Sequence, residues 1–307
     1  MSIARQLEPI IAAFRNRQPM RAKSLIITLF GDVVSQHGKE VWLGSAALAL
    51  DDLGVNDRLV RTSVFRLAKE GWLEVERDGR RSFYRFSNFG SLEYQRAAQR
   101  IYRSDPGTWQ GGWQLLIPVG VGEAQRDDLR DSLNWLGFRA ISPGTFARPG
   151  GDMDSVRDVL DEFQLETGVI IMDAETSPMT TKRALREIVS EHWQLDQLAA
   201  DYAALIKLFK PLEHVLARGA QPTPTEAFQA RLLLIHEYRR VLLRDTALPE
   251  DLLPARWQGT LARQTVASAY RALAEASEHY VVTAMENTQG ALPPAAVGFW
   301  QRFGGLR

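Results

Sequence analysis

The chain has 307 residues, 45% hydrophobic and 24% charged, an ordinary globular composition that excludes a disordered or fibrous protein and leaves length for roughly two or three domains. Its 37 Lys and Arg balance 37 Asp and Glu, so affinity for nucleic acid has to come from local clustering of charge rather than from the total. With no cysteine, disulfides, thiolate metal sites and cysteine nucleophiles are excluded together, which fits a cytoplasmic protein.

At the N-terminus there is no basic, apolar and cleavage-site succession, and no apolar run approaches the length of a membrane span, so neither an export signal nor a membrane partner is expected. Ile3, Leu7, Ile10, Ile11 and Phe14 have helical spacing within an arm at residues 1–20. Pro9 is expected to bend or interrupt that helix, and the arm either packs on another part of the molecule or frays.

Residues 21–90 read as a winged helix-turn-helix: an apolar helix over 24–35, a short strand over 40–43, a second helix over 45–53 that stops at Gly54, a third helix, and a hairpin. The third helix opens at Asn56-Asp57, either of which can accept hydrogen bonds from its first free N–H groups, and Gly71 closes it. Val60, Val64, Leu67 and Ala68 fall on one face at the spacing of a buried stripe. Arg58, Thr62, Arg66 and Lys69 fall on the other, with Arg61 and Ser63 on its flanks. Hydrogen-bond donors rather than carboxylates line that side, which suits DNA; an ordinary solvated face is the alternative. WLEVE, RDGRR and SFYRF then give alternation, turn and alternation. Asp78-Gly79 tolerates the turn, and Arg77, Arg80 and Arg81 crowd its tip. Between Val55 and Phe86 eight basic residues stand against five acidic ones, a surplus of three. In such an arrangement the helix enters the major groove and the wing grips the backbone or minor groove.

A linker helix over 92–102 leads into a turn-rich segment, SDPGTWQGG, so that residues 91–112 form a domain boundary. Residues 113–178 then read strand 113–119, helix 123–136, strands 138–141 and 145–148, helix 154–165 and strand 169–173. This is a ferredoxin-like βαββαβ order. VGVGEAQ, leaving the first strand, resembles a phosphate loop, but it lacks a third glycine or a Lys-Ser/Thr pair and reads as a plain turn. The Cas2 nucleases share this shape but carry a metal-binding aspartate at the end of the first strand. Here that strand ends Leu116-Ile117-Pro118-Val119, so a spacer or dimerisation role is expected instead.

Residues 179–307 are helical in pattern: 180–210 interrupted at Pro211, then 226–244, then 261–285. The middle helix is apolar nearly all round and still carries Arg231, His236, Tyr238, Arg239 and Arg240. Buried charge must be paired or meet a ligand. Salt bridges are one answer; the other is that these residues, with Lys210, bind an anionic effector. No G-x-S-x-G, H-E-x-x-H or P-loop pattern is present, and the five histidines lack metal-ligand spacing, so neither catalysis nor a metal nor a cofactor is expected.

The blocks SLIITLFGDVVSQHGKEVWLGS, RLVRTSVFRLAKEGWL, GRRSFYRFS, RIYR, RLLLIHEYRRVLLRD, LPEDLLPARWQG and FWQRFGGL, in this order over nearly the whole chain, resemble the PaaX family of bacterial repressors. The resemblance implies a dimer that represses phenylacetate catabolic operons by binding palindromic promoter DNA and lets go when phenylacetyl-coenzyme A binds. A family member answering a different aromatic acyl-coenzyme A has the same blocks. An enzyme acting on such thioesters would need a base or nucleophile that no pattern supplies.

Overall fold

The computed structural model describes residues 2–17, 22–103, 109, 111–150, 153–163, 165 and 168–307. The chain falls into two compact units: Met1–Ser104 with Tyr202–Leu243 and Gln258–Arg307, and Asp105–Asp201 with Arg244–Trp257. Most of the turn segment at 104–112 lies outside the described residues.

The first unit begins with α1 (Ile3–Arg15), which buries Ile3, Leu7, Ile10 and Phe14 and packs on α10 (Pro224–Leu242). Pro9 lies on the exposed side, where water can satisfy the carbonyl it orphans, so the helix is not interrupted. Next comes α2 (Ala22–Thr28), running on through a π-helical turn at Leu29–Val33 and a 3-10 turn at Val34–Gln36. The wider turn includes Asp32, fully buried in an otherwise apolar stretch. β1 (Glu40–Trp42), α3 (Leu43–Asp51), α4 (Asp57–Lys69), β2 (Leu73–Asp78) and β3 (Arg81–Phe86) follow. The three strands form an antiparallel sheet in the order β1-β3-β2. Ser87 caps α5 (Asn88–Ile101) by accepting from Gly90 N–H at 3.0 Å.

Thr223 and Glu226 close a capping box at the start of α10, and α11 (Gln258–Ala284) is its largest neighbour. The expectation of a separate C-terminal domain at 179–307 meets a different grouping, since α10 and α11 share a unit with residues 1–104. The reason is the composition of α10. A helix apolar on every side needs cover on every side, and α1, α2, α5 and α11 provide it.

The expected interruption at Pro211 is also corrected: α9 (Leu195–Ala217) runs straight through it. Tyr202, Leu205, Phe209, Leu212 and Leu216 are buried along one stripe of α9, each contributing roughly 1.5–3 kcal/mol. Against that, proline inside a helix costs about 3 kcal/mol. The break falls earlier, at Trp193-Gln194, where Gln194 takes φ +52 after α8 (Lys182–His192).

In the second unit β4 (Gly112–Pro118), α6 (Glu123–Trp135), β5 (Arg139–Ser142), β6 (Thr145–Pro149), α7 (Met153–Glu162) and β7 (Val169–Glu175) build an antiparallel sheet in the order β5-β6-β4-β7. Leu116, Leu129, Leu133, Phe138, Phe146, Val156 and Leu160 form its core. This order fits a ferredoxin-like fold. The N–H groups of Val119 and Gly120 both donate to the carbonyl of Gly168, at 2.9 and 3.0 Å, so the glycine turn spends these two donors on the protein.

Candidate nucleic-acid interface

Local signals set α4. The Asn56 side chain accepts from Leu59 N–H at 3.0 Å. At the other end Gly71, at φ +78, donates to Ala68 and Trp72 donates to Leu67, a Schellman closure that needs the left-handed residue glycine supplies. Val60, Val64 and Leu67 are buried, and Ala68 is half-buried. The opposite face presents Arg58, Arg61, Thr62, Arg66 and Lys69, all exposed.

Three expected contacts stand differently. Ser63 is buried, because it flanks Val60 and Val64 on the packed stripe; it is not on the outer face. Arg61 is tied to Asp57 at 2.7 Å. Thr62 Oγ1 donates to the Arg58 carbonyl at 2.8 Å, which leaves the hydroxyl as an acceptor. The reading from sequence also passed over Phe65. It is 68% exposed and sits between Arg58 and Lys69 on the outer face, an apolar surface of the kind that meets a thymine methyl. Its position outside the buried stripe was the available signal.

On the hairpin, Asp78 pairs with Arg81 and Gly79, at φ +57, opens a two-residue turn. Arg77 and Arg80 are exposed. Arg81 is exposed as well but engaged: its guanidinium meets Glu286 at 2.8 Å and lies 4.5 Å over the Trp42 ring. Arg85 is matched by Glu74 and Glu76, at 3.1 and 3.5 Å. The cationic tip is therefore Arg77 and Arg80.

The same unit holds a buried ionic cluster. Arg231 donates from Nε to Asp32 Oδ2 at 2.9 Å, from Nη2 to the Asp32 carbonyl at 3.2 Å, and from Nη1 to Glu278 Oε1 at 2.9 Å and Ser277 Oγ at 3.1 Å. Asp32 Oδ1 also accepts from Arg302 Nη1 at 3.0 Å, Tyr270 at 2.8 Å and Tyr102 at 2.6 Å. Burial pushes the Asp32 carboxyl up, but Arg231 and Arg302, with the two phenols, outweigh it and hold it below the usual value. Glu278 also meets His37 Nε2 at 2.8 Å while His37 Nδ1 faces the Val33 carbonyl at 2.7 Å.

The six expected effector residues do not gather around one cavity. Arg231 is consumed by this cluster, because two carboxylates and a hydroxyl reach it from the π-helical turn after α2 and from α11. Lys210 pairs with Glu213 at 2.8 Å on the surface, and Arg240 pairs with Glu237 at 3.1 Å. Tyr238 is buried. Arg239 Nη1 donates to Thr28 Oγ1 at 3.0 Å and the Ser24 carbonyl at 3.3 Å, and burial lowers its pKa. His236 Nδ1 lies 3.4 Å from Thr28 Oγ1; burial lowers this histidine to about 4. His236 and Arg239 thus brace α2. Two clefts in this unit are lined by other residues.

Family models match three successive stretches: a PaaX-like protein at residues 21–90, a PaaX protein central Cas2-like domain at 106–186, and a PaaX-like protein C-terminal domain at 193–283. The chain is 41% identical, over 98% of its length and 96% of the relative's, to the transcriptional repressor PaaX of Escherichia coli strain K12. The chain belongs to the PaaX-like family. In this PaaX-like chain α4 and the hairpin lie within the first matched stretch, and the antiparallel sheet β5-β6-β4-β7 lies within the second. A solved structure of an uncharacterized protein from Mycobacterium tuberculosis, 21% identical, superposes over 83% of this chain and 96% of that one with a TM-score of 0.54, a likeness of fold alone.

Proposed function

We propose that this chain is a transcriptional repressor of phenylacetate catabolic genes. It acts as a cytoplasmic homodimer whose residues 21–90 form a winged helix-turn-helix, binds palindromic operator DNA, and is released by phenylacetyl-coenzyme A. The observation that carries the DNA-binding half is the outer face of α4, where Arg58, Thr62, Phe65, Arg66 and Lys69 are exposed together, next to a hairpin tipped by Arg77 and Arg80. The relative named a transcriptional repressor supports the regulatory role. In the bound state α4 reads base edges in the major groove while the hairpin arginines contact phosphates. The second unit serves as a spacer or dimerisation element.

Release requires the effector to bind the non-operator state more tightly. Weakening DNA affinity roughly 100-fold takes about 2.7 kcal/mol of coupling. The deciding experiment is fluorescence anisotropy on the DNA upstream of the protein's own gene, with phenylacetyl-coenzyme A, free phenylacetate or coenzyme A added separately. Release by the thioester alone is the expected result. Release only by another aromatic acyl-coenzyme A would keep the repressor and change its effector, and absence of DNA binding would sink the reading of α4.

A further inference from the structure

Beside Arg77 and Arg80, the β2–β3 hairpin carries Arg81, whose charge is met by a carboxylate from the far end of the chain. After α11 the chain forms a small antiparallel pair, β8 (Glu286–Asn287) and β9 (Gly290–Ala291), set against β1. The pair is fixed at both ends of β1. Glu286 N–H donates to Ser45 Oγ at 3.1 Å, just past Trp42, and Thr288 Oγ1 donates to Glu40 Oε1 at 2.8 Å. Met285 and Leu292, on either side of β8 and β9, are buried. Because Trp42 stands opposite Phe83, the Trp42 end of β1 faces the turn of the β2–β3 hairpin, and Glu286 is brought there with it. Its Oε2 accepts from Arg81 Nη1 at 2.8 Å, while the Trp42 ring, 4.5 Å from the guanidinium, keeps the Arg81 side chain on that face. The two side chains are 52% and 44% exposed, so this is a surface ion pair with which an anion arriving from solvent competes.

We propose that Glu286 masks Arg81 as a phosphate contact and thereby sets how tightly the chain holds DNA. A guanidinium matched by a carboxylate adds no net charge to the face that meets the DNA backbone, and it turns a donor toward Glu286 that otherwise suits a phosphate oxygen. Without the carboxylate, the same side chain, placed by Trp42 and next in sequence to Arg80, adds a full charge at the tip. Phosphate contacts favour every sequence alike. The mask therefore lowers affinity for operator and random DNA together, leaves discrimination to α4, and keeps the operator complex weak enough for a modest differential affinity to release it. This inference rests on the repressor reading.

The test is fluorescence anisotropy of the full chain on its own upstream DNA and on a scrambled duplex over a range of salt, for the natural protein, Glu286→Gln, Arg81→Ala and the double variant. Glutamine keeps the side-chain length and the backbone N–H on Ser45, and loss of one exposed ion pair changes stability little; an unchanged melting temperature verifies this. Glu286→Gln should tighten binding to both duplexes about three- to tenfold and steepen the salt dependence by about 0.9 of a unit of slope, the mark of one added phosphate contact. In the Arg81→Ala background the same substitution should leave the slope unchanged and give a much smaller gain. Equal gains in both backgrounds would reduce the effect to the field of one carboxylate and overturn the proposal, and so would binding unchanged in Glu286→Gln. Failure of the natural protein to bind either duplex would instead sink the repressor reading, and this inference with it.

Discussion

Asp32 shows how much one side chain can organise. It accepts from two arginines and two phenols with no exposure to solvent, so removing its charge leaves Arg302 without its carboxylate and Arg231 with Glu278 alone. Asp32→Asn should cost about 3–5 kcal/mol in urea unfolding, the usual penalty for breaking one side of a buried ion pair. Replacing the four charges together, as Asp32→Leu with Arg231→Met, Arg302→Met and Glu278→Gln, should recover much of that loss; a quadruple variant as unstable as the single one would show that the cluster does more than pair charges. Because the folded carboxyl lies below its ordinary value of 3.8, its contribution is complete above that pH and is lost only as pH falls through the lower folded value.

His236 acts in the same direction, over a higher pH window. Its folded pKa is lowered from 6.5 to about 4, so the unfolded chain binds the extra proton between those values and stability falls as pH drops from 6.5 toward 4. At pH 5 the loss should be roughly 2 kcal/mol relative to pH 7, and His236→Gln should remove that part of the dependence. Equal pH slopes for the variant and the natural protein would refute the assignment.

At the scale of elements, the proposed repressor reading has α4 and the hairpin divide the work on DNA. Arg58→Ala or Arg66→Ala should lose about 1–3 kcal/mol of binding and relax sequence preference, because base edges carry the discrimination. Phe65→Ala should relax it at a thymine. Arg80→Ala should weaken all sequences alike and flatten the salt dependence by about one unit of slope, as a phosphate contact does. Arg81→Ala should instead lower the melting temperature, since Arg81 ties the hairpin to Glu286 and Trp42. Anisotropy titrations on operator and scrambled DNA over a range of salt separate these outcomes; hairpin variants that change specificity while α4 variants do not would reverse the roles.

At the scale of the molecule, residues 1–104 are not a free-standing domain. α1, α2 and α5 all pack on α10, and Asp32 takes two of its cationic partners from α10 and the C-terminal turn. A fragment ending at residue 104 should therefore lack a cooperative thermal transition, whereas the full chain should show one; a sharp transition in the fragment would contradict this. Reciprocity supplies a second test of the proposed release: operator DNA would have to weaken effector binding by the same factor that the effector weakens DNA binding.

The sequence by itself determined the elements whose signals are local. Asn56, Gly71, the Asp78-Gly79 turn and the alternation on either side of it specify α4 and the hairpin through hydrogen bonds and φ values that involve only near neighbours, and the order of strands and helices in residues 113–178 is legible for the same reason. Most of the outer face of α4 was legible too, because a thirteen-residue helix fixes which residues share a face. Only the tertiary structure decided the rest. Ser63 is buried, Arg81 is engaged, α9 continues through Pro211, and Arg231 meets two carboxylates because of partners that come from distant parts of the chain. No spacing rule carries that information: whether a buried charge is paired, and whether a proline is outweighed, depends on which surfaces meet once α10 is covered on every side.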